Sequence, residues 1–170
     1  KEMIDFSLIN INDKVYNLFD LVGKKGTLIM FICNHCPYVK AIIGRLIETT
    51  AHLKDLGINS IAIMSNDTNK YPEDNFENMK KFAKINNFNF PYLLDDSQEV
   101  ARSFGAICTP DFFGFNNKKR LQYRGRLSEI KNLEFVNDKN ELLQAMKVIS
   151  ETNNGPSVQY SSAGCSIKWK

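Results

Sequence analysis

Two nearly unbroken apolar runs frame a helical pattern early in the chain, and they restrict the fold more than any other feature. "TLIMFI" (Thr27 to Ile32) and "INSIAIM" (Ile58 to Met64) lack the strict polar alternation of a half-exposed strand. Such runs belong to strands buried on both faces, as in parallel sheets covered by helices. Between them, Val39, Ile42, Ile43, Leu46, Ile47, Thr50 and Leu53 recur at three- and four-residue spacing. That is the stripe of an amphipathic helix, and Gly57 is placed to end it.

The remaining segments extend this β–α–β unit. "FSLIN" and "KVYNL" flank a turn near Asn12 and Asp13 and read as a hairpin. "PEDNFENMKKFAKI" reads as a second helix, with Phe76, Met79, Phe82 and Ile85 on its buried side. "FPYLLD" is a short strand, and "SQEVARSFG" a short helix capped by Gly105. "DFFGF" and "RLQYRG" form an antiparallel pair across the turn from Asn116 to Lys119. "NDKNELLQAMKVIS" is a last helix with Leu142, Leu143, Met146 and Ile149 inward. The expectation is an α/β domain over residues 1–170, a central mixed β-sheet flanked by helices, with an added N-terminal β-hairpin. Residues 151–170 turn polar and small before "GCSIKWK" and form a C-terminal tail.

Composition narrows the function. A chain of 170 residues suits one hydrophobic core. The net charge is only +3, and the "KKR" at Lys118 to Arg120 reads as a solvated turn, so no nucleic-acid partner is expected. No apolar run approaches the roughly 18 residues of a membrane span. No secretory signal is visible, and a cytoplasmic location is expected. A periplasmic or other exported location stays open, because the chain begins at Lys1 and a leader could have been removed. Neither a G-x-G-x-x-G nor a P-loop occurs, so no nucleotide, flavin or other cofactor is expected.

Four cysteines, Cys33, Cys36, Cys108 and Cys165, are too few to staple a domain of this length. Two of them stand in "FICNHCPYVK", where the first apolar run gives way to the first helix. Unpaired N–H groups at a helix start stabilise a thiolate and lower its pKa. Cys33 is therefore expected to be the exposed attacking thiol, with His35 adding positive charge or a hydrogen bond. Cys36, one helical turn later, is expected to be the more buried resolving thiol. Pro37 offers no N–H, which costs little in a first turn.

Other readings of the pair are open. A C-x-x-C can be half of a zinc site, although no second C-x-x-C is present. A metal-binding module would draw on Cys33, Cys36 and either Cys108 or His35; the preferred reading has no metal. A C-x-x-C beside a β–α–β pattern points instead to a redox dithiol. Far along the chain, "CTPDFF" puts Thr109 and Pro110 at the entry of a strand. Proline is unusual there, and an X-Pro bond can be cis at modest cost. A cis bond at this point would present the Thr109 backbone to an incoming peptide; an ordinary trans turn is the alternative.

With "FICNHCPYVKA", "CTPDFFGF", "YRGR" and "GCSIKWK" occurring in this order, the chain resembles the thioredoxin superfamily over nearly its full length. It is most similar to the redoxin branch (alkyl hydroperoxide reductase/thiol-specific antioxidant) and, within it, to peroxiredoxin-like thioredoxin family proteins. The resemblance implies a thioredoxin-like fold, Cys33 and Cys36 as the redox pair, and Pro110 as a cis-proline facing them. Asn34 and His35 fill the space between the cysteines, where C-P-H-C oxidants carry proline and histidine. The position of the buried thioredoxin aspartate holds Thr27. The peroxiredoxin pattern P-x-x-x-T-x-x-C is not met: counted back from Cys33 its proline and threonine fall on Gly26 and Met30, and from Cys36 on Ile29 and Cys33. Thiol–disulfide exchange is thus the expected activity, with peroxide reduction as the alternative. The implied partners are a protein or small-molecule disulfide or thiol and a thiol reductant or oxidant. Cys108 and Cys165 are possible additional thiols, Cys108 more simply a packing residue.

Overall fold

The computed structural model describes residues 1–170. Its strands and helices follow in the order β1 (Ser7–Asn10), β2 (Val15–Asn17), β3 (Gly26–Phe31), α1 (Pro37–Asp55), β4 (Ile58–Met64), α2 (Phe76–Ile85), β5 (Tyr92–Leu94) and α3 (Glu99–Phe104). The second half carries β6 (Cys108–Thr109), β7 (Asp111–Phe115), β8 (Leu121–Gly125), β9 (Ile130–Lys131), β10 (Glu134–Phe135), α4 (Glu141–Thr152) and β11 (Cys165–Ser166). Seven strands form one mixed sheet in the order β2-β1-β5-β4-β3-β7-β8. β3, β4 and β5 run parallel at its centre, β7 and β8 add antiparallel on one side, and the N-terminal hairpin adds antiparallel on the other. No helix is long and apolar enough to cross a membrane.

The central strands read as unbroken apolar runs because both sheet faces are covered. Along β3, Leu28 and Met30 join a core with Leu46 and Leu53 of α1 and Met146 of α4. The alternate residues, Ile29 and Phe31, join a second core with Phe104 of α3, Phe113 of β7 and Ile167 of the tail. The period-two alternation of a strand thus serves two hydrophobic layers at once. After α1, Gly57 takes φ +83°, the left-handed turn that lets the chain leave the helix.

Three segments differ from expectation. The stretch from Pro72 to Ile85 is not one helix: Pro72–Asp74 forms a 3-10 turn, and the Asn75 side chain then caps α2 by accepting the Asn78 N–H. The inward face of α2 is set by Met79 and Ala83, one turn apart, and Ile85 off that face is 78% exposed. β9 and β10 form an unanticipated small hairpin, since two-residue strands carry no periodic signal. The tail does not trail away. It runs beside β8, where the Arg126 N–H donates to the Tyr160 carbonyl, and ends as β11 paired antiparallel with β6.

Candidate active site

The sheet delivers the chain to the end of β3 at Phe31, and residues 32–36 bend from there into α1. Pro37 is the first residue of α1 and Cys36 its N-cap. Proline favours this first position because its missing N–H has no helical partner to lose. The positive end of α1 therefore lies at Cys36 and not at Cys33. The Cys36 thiol is held down to about 4, chiefly by a hydrogen bond from Cys33. Contacts with Cys165 and Thr109 and the Val39 N–H add to this, and together they outweigh burial. Cys33 is pushed well up by its bond to Cys36, by burial and by the negative charge of Asp74. The two cysteines titrate as one pair, with apparent pKa values that belong to both.

The expected exposure of Cys33 is not found: Cys33 is 1% and Cys36 0% accessible. The Cys33 sulfur lies within 4.8 Å of an Asp74 carboxylate oxygen. Cys36 Sγ lies 3.0 Å from Sγ of Cys165. Pro37 starts the helix one residue after Cys36, so the helix begins later than the end of the apolar run suggested.

The Thr109–Pro110 peptide bond is cis. Thr109 touches both thiols: its Oγ1 lies 3.6 Å from Cys33 Sγ, and its carbonyl oxygen accepts from the Cys36 thiol at 3.3 Å. Cys108 makes no contact with another cysteine and donates to the Pro110 carbonyl at 3.7 Å. Burial first, and then the Asp111 charge, push its thiol up to about 12.

A buried carboxylate completes the site, and it comes from a segment that sequence reasoning passed over. Asp74 is fully buried in the 3-10 turn before α2. Its Oδ1 accepts the backbone N–H of Asn34 at 2.8 Å, and its Oδ2 accepts the Asn66 amide at 2.9 Å. Nδ1 of His35 approaches Oδ2 to 2.6 Å. The His35 ring stacks on Tyr71. Asn34 is held at three points, since its side chain also donates to the Glu73 carbonyl (3.1 Å) and accepts from the Tyr92 hydroxyl (2.7 Å). β3 itself carries no carboxylate, and Thr27 spends its hydroxyl on the Gly23 N–H. Nothing local in "PED" announced the role of Asp74; Pro37, in contrast, was a readable sign of where the helix starts.

One ligand atom each from Cys33, His35 and Asp74 can gather within 4.8 Å, as in a metal site. This set differs from the one expected for a metal module, which used Cys33 and Cys36 with either Cys108 or His35. Both Asp74 oxygens already accept hydrogen bonds from Asn34 and Asn66, so the cluster is organised around protein donors. The arginines near the site are also engaged: Arg124 with Asp111 at 3.0 Å and Arg126 with Glu141 at 2.9 Å. The arrangement as a whole gathers three thiols, Cys33, Cys36 and Cys165, and a buried acid.

Comparisons with known proteins bear on the family and the fold. The sequence model of the AhpC/TSA family matches residues 1–124. No curated protein is a significant match. Among solved structures, an uncharacterised conserved protein of Geobacillus kaustophilus is 39% identical, with TM-score 0.91, over 100% of this chain and 91% of that one. A hypothetical protein of Sinorhizobium meliloti is 32% identical, with TM-score 0.92, over 100% of this chain and 93% of that one. The thioredoxin domain of a thiol-disulfide oxidoreductase from Bacteroides vulgatus is 16% identical, with TM-score 0.62, over 73% of this chain and 85% of that one. The fold is thioredoxin-like, with the central mixed sheet and flanking helices that the sequence implied.

Proposed function

The chain belongs to the AhpC/TSA family, and from that premise we propose that it is a thiol–disulfide oxidoreductase working through Cys33 and Cys36. The observation that carries this reading is Cys36 at the N-cap of α1, with Thr109 of the cis Thr109–Pro110 bond contacting the sulfurs of both Cys33 and Cys36. The Cys36 thiolate attacks a protein or small-molecule disulfide, forms a mixed disulfide and releases one thiolate. Cys33 then gives up its proton and attacks Cys36 Sγ. The Cys33–Cys36 disulfide forms, and the second substrate thiol leaves with that proton. The substrate gains two electrons, and a thiol reductant returns the pair to the dithiol; with a strong oxidant as partner the sequence runs backward. Thr109 positions both sulfurs, and Asn34 with Asp74 fixes the bend that carries them. The test is disulfide exchange with glutathione disulfide: Cys36→Ser should fall to the rate without protein, and a wild-type rate in that variant would overturn the proposal.

Peroxide reduction is the second reading, favoured by a stabilised thiolate at a helix start in a chain of this family. Cys36 would displace the O–O bond, leaving a sulfenic acid and an alcohol or water; a neighbouring thiol would then condense with it and release water. The two nearby arginines are paired with carboxylates, so this reading lacks a free guanidinium for the peroxide. Saturable peroxide consumption with a thiol reductant supports it; reactivity no faster than that of a free low-pKa cysteine removes it.

A further inference from the structure

We propose that Cys165 is a third redox-active thiol, which closes a disulfide with Cys36 and thereby fixes the C-terminal tail across the active site. The inference rests on the dithiol reading above and extends it to a residue outside the C-x-x-C motif. Its basis is the 3.0 Å contact between Cys36 Sγ and Cys165 Sγ, across 129 positions of sequence. A closure of about 1 Å brings such a pair to bonding distance.

The contact is built into the fold. β11 pairs with β6 so that Cys165 faces Thr109 and Ser166 faces Cys108, and the Ile167 N–H donates to the Ile107 carbonyl at 3.0 Å. Immediately before Cys165, a Cβ at Gly164 would collide with the Thr109 carbonyl oxygen, so only glycine lets the tail lie this close to the Thr109–Pro110 peptide. Beyond it, Ile167 is 3% exposed in the second core. The Lys168 carbonyl accepts from the Asp67 N–H and the Gln98 amide, while the Lys168 N–H donates to Asn66. The Arg102 guanidinium lies 4.3 Å from the centre of the Trp169 ring. The tail thus adds a strand beside Thr109 in the manner of a bound peptide, and presents its own sulfur to the thiolate.

The chemistry balances with a disulfide RSSR as oxidant. Cys36 thiolate and RSSR give Cys36–S–S–R and RS⁻. The Cys165 thiol then attacks Cys36 Sγ, the Cys36–S–R bond breaks, and RSH leaves with the Cys165 proton. The two cysteines lose two electrons, and RSSR is reduced to two thiols. While Cys36 is a thiolate, burial together with the hydrogen bond and charge of Cys36 keeps the Cys165 thiol up, at about 11. Those last two influences vanish once Cys36 is in a mixed disulfide, so Cys165 becomes a better nucleophile when it is needed. Attack of Cys33 on the Cys36–Cys165 bond transfers the disulfide to Cys33–Cys36 and releases the tail from its covalent hold.

The experiment uses Cys33→Ser, in which Cys33 cannot resolve. The full-length protein is treated with glutathione disulfide, free thiols are alkylated, and the digest is mapped by mass spectrometry. The expected product is a Cys36–Cys165 linked peptide without glutathione, whereas Cys33→Ser/Cys165→Ser keeps glutathione on Cys36. Glutathione retained on Cys36 with Cys165 alkylated in Cys33→Ser would overturn the inference and leave the dithiol reading standing. Cys36 found alkylated in both variants would overturn both.

Discussion

Asp74 and His35 meet at 2.6 Å beside the dithiol, and the same carboxylate anchors the Asn34 N–H between the two cysteines. A buried negative charge therefore stands on the Cys33 side of the pair, while the positive end of α1 stands on the Cys36 side. This asymmetry disfavours negative charge at Cys33 and favours it at Cys36.

Removing the Asp74 charge should make Cys33 easier to ionise. Asp74 raises Cys33, so Asp74→Asn should lower the pH at which Cys33 becomes alkylatable. Alkylation of Cys33 against pH, mapped by mass spectrometry on the reduced protein, reads this directly. An unchanged or higher midpoint in the variant would contradict the effect of the Asp74 charge on Cys33.

Stability should depend on pH through Cys36. Its folded value of about 4 lies far below that of an unfolded cysteine, so between those values the unfolded chain binds the extra proton. The contribution is full above the unfolded pKa, shrinks as pH falls below it, and is gone below about 4. Thermal unfolding of the reduced protein at pH 5 and pH 8 should therefore show a gap between wild type and Cys36→Ser that widens toward pH 8. A gap independent of pH would show that Cys36 is protonated in the folded state.

The tail should be separable from the rest of the fold. Truncating a buried isoleucine costs about 2–5 kcal/mol, and at Ile167 that loss falls on the docked tail. Ile167→Ala and Gly164→Ala should each speed alkylation of Cys36 while leaving far-ultraviolet circular dichroism unchanged. Slow alkylation in both variants would mean that something other than the tail shields Cys36.

Tyr92→Phe should destabilise without touching a sulfur. The Tyr92 hydroxyl is the donor to buried Asn34 Oδ1, and orphaning such an acceptor costs about 1–3 kcal/mol. Urea unfolding of the reduced variant should show a lower midpoint at unchanged slope. A midpoint equal to wild type would mean that another donor replaces the hydroxyl.

The parts of this architecture that were legible were those with a repeating pattern. β3 and β4 announced themselves as continuous apolar runs, and α1 as a stripe ending at Gly57. Ile85 was misplaced because the periodic reading ran through Asn75, where the chain caps a shorter helix. The dithiol was visible in its spacing, and Pro37 marks the start of α1 one residue after Cys36. Asp74 and Cys165 were beyond reach for a different reason. Each acts through contacts 40 or more positions away in sequence, from Asn34 to Asp74 and from Cys36 to Cys165, and no local pattern encodes such pairs.

The most direct test of the account is the oxidation state of each cysteine in Cys165→Ser protein equilibrated in glutathione buffers, read by alkylation and mass spectrometry. With the tail thiol gone, Cys33 and Cys36 should lose their alkylation together, in one two-electron transition, as a linked pair without glutathione. Cys33 remaining alkylated while Cys36 carries glutathione across the range would contradict a working Cys33–Cys36 couple.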